Sequence, residues 1–214
     1  MASCATFARM TPLDHLLYGL AWLSFGLLHS LLAREGAKQR LGGLLGGGYR
    51  LAYNGFALLH ILAVAAFGDW LARGGAGGNF TARPDWLSWL QSALALAGFA
   101  VMLLALRSYD LGRFGGLTQF RQKIPPNTQA AEEPLVISGL HRYVRHPIYF
   151  GLLLFVWGLA RDQLSLATAF WASLYLVIGS RFEERDLLRR FGESYADYRR
   201  RVPALIPWRG RRES

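Results

Sequence analysis

The sequence predicts an all-α integral membrane protein: a bundle of five transmembrane helices, the last two a tight helical hairpin, followed by a C-terminal amphipathic helix. Three observations predict it. Apolar residues make up 52% of the 214 positions and charged residues only 18%, which is lean in charge for a soluble chain of this length. Apolar stretches of about 20 residues, the length a bilayer crossing needs, recur along the chain. The net charge is +10, and most basic residues sit in short segments between those stretches. That is the pattern of cytoplasmic loops, and it argues against a nucleic-acid surface. The length suits one domain covering residues 1–214.

The first span is expected over Pro12–Ala33, the second over Leu51–Leu71 and the third over Trp86–Leu106. These three helices occupy residues 12–106, and a cytoplasmic loop follows over 107–147. The region from Ile148 to Gly179 is apolar but broken by "ARDQ" at 160–163. It is too long for one helix and short for two full spans, so 148–180 reads as a hairpin of minimal or tilted arms. Beyond it, Leu188, Phe191, Tyr195, Tyr198 and Val202 recur at spacings of three and four, with Arg185, Arg189, Arg190, Glu193, Asp197 and Arg200 mostly opposite. This is the signature of an amphipathic helix over 181–202, lying on the membrane face or over the bundle. Pro203 and Pro207 end it, and "RGRRES" reads as a frayed tail.

Charge sets the orientation. With the N-terminus outside, 20 of the 24 Lys/Arg fall on cytoplasmic segments, leaving Arg9, Arg73, Arg83 and Arg161 outside. This bias favours five crossings with a cytoplasmic tail. The N-terminus lacks a signal peptide's charged start and cleavage site, and Met10 is an alternative start. The one cysteine, Cys4, permits no internal disulfide, and no Cys/His cluster has zinc spacing. The pieces "LGGLLGGGYR" and "RGGAGGNF" read as flexible connectors, because neither joins a strand to a helix as phosphate-binding loops do.

Polar residues gather on the cytoplasmic side, in "RSYDLGRFGG", "SGLHRYVRHPIYFG", "RFEERDLL" and "FGESYADYRRRVP". Pro147 is suited to the first turn of a helix, where no N–H partner is lost. The helix it begins should point its free N–H groups and positive dipole end at the cytoplasm. Arg142, Arg145 and His146 stand just before it, so the mouth is positive and rich in donors. Arginines there also act as topology determinants and lipid-headgroup contacts. Glu183 and Glu184 lie where the second arm of the hairpin leaves the membrane. Carboxylates contribute nothing to positive-inside orientation, and two together at a bilayer edge need partners. Within the spans, His29, His60, Asn54 and Asp69 are expected to hydrogen-bond between helices.

"GLHRYVRHPIYFG" followed, after the hairpin, by "RFEERDLLRRFGESYADYRRRVPALIP" resembles the isoprenylcysteine carboxyl methyltransferase superfamily, which also contains membrane phospholipid methyltransferases. The shared pattern is Arg-His-Pro-x-Tyr-x-Gly, then Glu-Glu, then Phe-Gly-x-x-Tyr-x-x-Tyr, and it covers roughly the C-terminal third. "LLHSLLA" and "YRLAYN" are similar to the bacterial branch around the NnrU-like proteins and the methanethiol S-methyltransferases.

The resemblance implies a multi-pass protein of the bacterial inner membrane with a cytoplasmic pocket for S-adenosylmethionine. His146, Tyr149 and Gly151 should line the cofactor site, Glu183 and Glu184 should reach its polar groups, and Gly139, Leu140 and Tyr143 should form the approach. Arg145 matches the motif's arginine, while Tyr195 and Tyr198 match the tyrosines that cap the pocket. Arg145 and Tyr198 are the expected catalytic residues. The residue types suit the cofactor: arginine and histidine for its carboxylate, glutamate for its ammonium or ribose hydroxyls. The expected acceptor is a small thiol or a lipophilic carboxylate, with a phospholipid amine third. A non-catalytic NnrU-like membrane subunit or sensor is the alternative. A reductase with similar C-terminal architecture would need more helices.

Overall fold

The computed structural model describes residues 10–74, 84–124, 135 and 137–208. Every regular element among them is helical. Cys4, most of the "RGGAGGNF" piece and the "RGRRES" tail lie outside the described residues.

Helix α1 spans Pro12–Ala33 and starts on a capping box: Thr11 Oγ1 accepts from Asp14 N, and the Asp14 carboxylate accepts from Thr11 N at 2.7 Å. Helix α2 (Glu35–Leu45) and a 3₁₀ turn at Gly46–Gly48 follow. The first glycine-rich piece is therefore helical, which corrects the expectation of a flexible connector. Gly47 is pressed against the Gln119 carbonyl and the Lys123 and Ile124 backbone, a fit that leaves no room for a side chain. Helices α3 (Tyr49–Gly74) and α4 (Asp85–Leu106) come next, then two short helices, α5 (Leu111–Gly115) and α6 (Leu117–Gln122). Asn54 of α3 donates to the Phe114 and Gly115 carbonyls of α5, both at 3.1 Å.

After the 3₁₀ turn Gly139–Arg142 come α7 (Pro147–Gly158), α8 (Gln163–Phe191) and α9 (Glu193–Arg201). The segment expected as one amphipathic helix over 181–202 is thus divided. Its first half prolongs α8, and Gly192, at φ +55°, breaks the axis before α9. That backbone region favours glycine.

Among the described residues, four helical stretches are long and apolar enough to cross a membrane: α1, α2–α3 taken together, α4 and α8. The chain is a multi-pass membrane protein. α7 has 12 residues, about 18 Å at 1.5 Å per residue, against a hydrocarbon core of about 30 Å. It lies antiparallel against α4 through an interface of small residues. A Cβ on Gly98 would fall 2.5 Å from the Gly151 carbonyl, and Gly158 presses on Ala95 and Gln91 of α4. Such close backbone approach is how membrane helices gain packing where the hydrophobic effect offers little.

The outer surface is apolar, with Leu59, Leu96 and Phe170 all more than half exposed. Trp70, Trp86, Trp89 and Trp157 are exposed at the α3–α4 and α7 ends away from the polar loops, as an interfacial aromatic belt would be. Inside, Tyr18, Trp22, Phe25, Val64, Leu71 and Ala172 form the main core, where Tyr18 bonds Thr168 across helices at 2.8 Å. His29 and His60 also bond to neighbouring helices, His60 to Ser24 at 3.1 Å. Asp69 does not; it pairs within α3 with Arg73.

Candidate active site at the foot of the helical hairpin

α7 and α8 run antiparallel, so Pro147 and Glu184 meet at the same end of the bundle. His146 caps α7 through its backbone alone, and Pro147 takes the first helical position. The backbone N–H groups of Arg145 and His146, just before the helix, are taken. They donate to the Pro203 and Ala204 carbonyls at 2.9 and 3.1 Å, so the C-terminal tail is laced onto the helix start.

The side chains form two linked clusters. In the first, Arg145 donates to Glu184 Oε1 from Nε at 2.8 Å and from Nη2 at 2.5 Å. Its Nη1 donates to the Arg199 and Val202 carbonyls. The pair is nearly buried, with side-chain exposures of 9% and 12%, so each charge depends on the other. In the second, Tyr149 donates to Glu183 Oε2 at 2.9 Å, and His146 Nδ1 lies 3.5 Å from the same oxygen. His146 links the clusters, because its Nε2 is 3.2 Å from Glu184 Oε1. The His146 and Tyr149 rings stack at 5.2 Å, nearly parallel. Of the two carboxylates, Glu183 is the accessible one, with 47% of its side chain exposed.

α9 covers the foot of the hairpin. Tyr195, Tyr198 and Val202 are buried against Leu135, Leu187, Leu188 and Phe191. The Tyr198 hydroxyl donates to the His141 carbonyl at 2.6 Å. The Tyr195 hydroxyl is buried beside the Arg145 guanidinium, and its own hydrogen has no acceptor among the described residues. Burial raises the pKa of both phenols, and the neighbouring Glu184 carboxylate adds to the effect, so both stay protonated.

Two participants carried no sequence signal strong enough to single them out. Tyr109, just past α4, stands edge-on to the His141 ring at 5.7 Å, and burial with the Glu183 charge pushes its phenol up to about 12. His141 is buried, and its Nδ1 faces the Arg145 carbonyl at 3.2 Å. Because a carbonyl only accepts, Nδ1 carries the proton and Nε2 is a bare acceptor. That Nε2 is buried and unpartnered among the described residues.

The residues expected at the site from sequence divide by position. His146, Tyr149, Glu183, Glu184 and Arg145 converge. Gly139, at φ +56°, faces Ser108 at the turn leading in, where Leu140 is half-buried and Tyr143 exposed. Tyr198 is present, but its hydroxyl is committed to the backbone. Gly151 does admit a close neighbour, and that neighbour is α4: a Cβ there would meet Met102 and Gly98 within 2.8 Å.

The phospholipid methyltransferase family model matches residues 89–194. The chain is 45% identical over 125 residues to methanethiol S-methyltransferase 2 of Bradyrhizobium diazoefficiens, covering 56% of this chain and 46% of that protein. It is 43% identical over 70 residues to a methanethiol S-methyltransferase of Mycobacterium tuberculosis, covering 32% and 29%. It is 38% identical over 117 residues to the protein-S-isoprenylcysteine O-methyltransferase of Schizosaccharomyces pombe, covering 51% and 47%. The chain thus spans about half or less of the length of these relatives. No solved structure matches it. The matched stretch holds most of α4, all of α7 and α8 and the whole Arg145–His146–Tyr149–Glu183–Glu184 constellation; it is a phospholipid methyltransferase-family domain, consistent with the isoprenylcysteine carboxyl methyltransferase superfamily.

Proposed function

We propose that this chain is an integral-membrane, S-adenosylmethionine-dependent methyltransferase whose acceptor is a small thiol or a lipophilic carboxylate. One observation carries the reading. The accessible Glu183 carboxylate is aimed by Tyr149 and His146 on a frame that Arg145 and Glu184 lock in place. A frame of this kind holds a charged ligand at the membrane surface without collapsing when the ligand leaves.

The residues present fit the cofactor. Glu183 suits an ammonium or ribose hydroxyls. Among the described residues, the buried Tyr195 hydroxyl hydrogen and His141 Nε2 are one donor and one acceptor left for a polar ligand. Gly139, Leu140 and Tyr143 form the approach, His146 and Tyr149 a wall, and Gly151 seats that wall on α4. S-adenosylmethionine supplies, when bound, an electrophilic methyl group on a sulfonium. The protein's part is positioning and exclusion of water, since an anionic nucleophile needs little acid–base help. Arg145 and Tyr198 act in this scheme by position: both are already bonded, Arg145 fastening the end of α9 to the start of α7 and Tyr198 fastening α9 to the Gly139–Arg142 turn.

The finer topology belongs to the same reading. α7 is the fourth of five crossings, shortened and buttressed by α4, and α8 is the fifth. The N-terminus lies outside the bacterial inner membrane, the Glu183 site faces the cytoplasm, and α9 lies over it. The methanethiol S-methyltransferase relatives favour a thiol, the isoprenylcysteine O-methyltransferase relatives a lipophilic carboxylate, and the family model keeps a phospholipid amine as the third acceptor class.

The test is calorimetric titration of S-adenosylmethionine into the detergent-solubilised protein. Micromolar binding, weakened at least tenfold by Glu183→Gln and by His146→Ala, supports the reading. A folded protein that binds none overturns it. A transfer screen of thiols, prenylcysteine acids and phospholipid amines then assigns the acceptor.

A further inference from the structure

Above the Glu183 site, three polar side chains from three membrane helices meet in an apolar setting. His29 of α1 lies between Tyr53 of α3, whose hydroxyl is 2.6 Å from Nε2, and Tyr175 of α8, whose hydroxyl is 3.0 Å from Nδ1. Counting hydrogens shows a surplus. A neutral imidazole has one N–H and each tyrosine one O–H, so three donors serve two bonds. The distances say which donor is spare. A separation of 2.6 Å suits an O–H donating, and 3.0 Å suits an N–H donating. Tyr53 therefore donates to Nε2, Nδ1–H donates to Tyr175, and the Tyr175 hydroxyl hydrogen has no acceptor among the described residues. In a membrane interior an idle donor is costly, so a third party is implied.

The setting says what kind. Phe25 packs against both Tyr175 and His29, with ring centroids 5.1 and 5.6 Å away. Aromatic rings beside a weak donor suit a polarizable sulfur. Tyr175, Gly179 and Glu183 follow one another at intervals of one helical turn on α8. A Cβ on Gly179 would meet nothing within 4 Å. An open strip about 12 Å long, eight residues at 1.5 Å each, thus runs from Tyr175 down to the Glu183 site.

We propose that the His29–Tyr53–Tyr175 cluster is a binding site for the methyl acceptor, a small membrane-soluble thiol whose sulfur accepts the spare Tyr175 hydrogen bond, with the Gly179 strip as its way to the Glu183 site. The proposal rests on the methyl-transfer reading for its biological sense, but it is testable apart from that reading. Tyr175→Phe removes the hydroxyl and keeps the ring. Ethanethiol binding to the detergent-solubilised protein is followed by saturation-transfer NMR, and S-adenosylmethionine binding by calorimetry serves as the folding control.

The expected result is about a tenfold loss of ethanethiol affinity in Tyr175→Phe, a smaller loss in Tyr53→Phe, and unchanged cofactor affinity in both. Equal ethanethiol binding by parent and Tyr175→Phe overturns the site and leaves the methyltransferase reading standing. Binding of prenylcysteine acid but not ethanethiol by the parent also overturns it. Ethanethiol binding that depends on Tyr175, in a protein that takes no S-adenosylmethionine, upholds the site and overturns the methyltransferase reading instead.

Discussion

Arg145 holds Glu184 through two hydrogen bonds to one carboxylate oxygen, while its remaining nitrogen reaches the Arg199 and Val202 carbonyls on the far side of α9. A single guanidinium therefore joins the start of α7, the end of α8 and the C-terminal tail. Few side chains other than arginine could do this, because the planar fork presents donors in several fixed directions.

Removing either partner leaves the other charge nearly buried and unpaired. Glu184→Ala and Arg145→Ala are each expected to destabilise the protein by about 3 kcal/mol, the usual cost of breaking a buried pair. Arg145→Lys should recover only part of this, since an ammonium cannot span Glu184 and both carbonyls. Thermal melting in detergent measures the loss, and limited proteolysis after residue 192 should accelerate in step with it. Unchanged melting in Glu184→Ala would mean that the frame is not structural.

Glu183 should behave in the opposite way. Its carboxylate is half-exposed and, among the described residues, bonded through Tyr149 and the neighbouring His146 alone. Glu183→Gln is expected to leave melting close to the parent's while cutting cofactor affinity at least tenfold. The two adjacent glutamates are thus separable, one by stability and one by binding. Calorimetry on both variants side by side checks it, and an intact Glu183→Gln titration would remove Glu183 from the cofactor site.

The α4–α7 contact makes a packing prediction. Gly98→Ala places a methyl 2.5 Å from the Gly151 carbonyl and the Phe155 nitrogen, atoms that cannot rotate away. Overpacking of this kind costs about 1–3 kcal/mol, and it should tilt α7 and weaken cofactor binding along with stability. Gly55→Ala in α3 is the matched control, because nothing lies within 4 Å of the new methyl. There the better helix propensity should dominate and melting should rise slightly. Equal melting of Gly98→Ala and the parent would show that the helices separate freely.

Much of this architecture was legible before any coordinates. The apolar runs placed α1, α3 and α4 within a few residues, because about 20 apolar residues in a row have few other uses. Glu183, Glu184, Arg145, His146 and Tyr149 announced themselves as polar residues at a bilayer edge. What the sequence concealed is mostly backbone. The carbonyls of Arg199, Val202, Pro203 and Ala204 that hold Arg145 and His146 leave no mark in residue identity. Gly192 was visible, but its left-handed conformation, which splits the expected helix over 181–202, was not. Gly151, expected from the resemblance to line the cofactor site, is packed against Met102 and Gly98 of α4, a contact that residue identity alone does not name. His141 looked like one more basic residue in a basic loop until its Nδ1 contact fixed its tautomer.

That tautomer gives the last prediction. Burial holds the His141 imidazole below its ordinary pKa, and the nearby His146 reinforces this, although the Arg145 carbonyl pulls the other way. Above about pH 6.5, the ordinary imidazole value, the ring is neutral whether the protein is folded or unfolded, and its full contribution to stability is present. As pH falls below that value the unfolded chain takes up the proton first. The folded ring resists, because a proton on Nε2 would create a buried donor with no acceptor among the described residues. The unfolded state then binds more protons, and stability must fall with falling pH through the folded-state value. Melting temperature should decline from pH 7 to pH 5. In His141→Asn, whose amide nitrogen can replace Nδ1 toward the Arg145 carbonyl, the decline should be shallower, since nothing at that position titrates. Parallel slopes for parent and variant would place the acid sensitivity elsewhere.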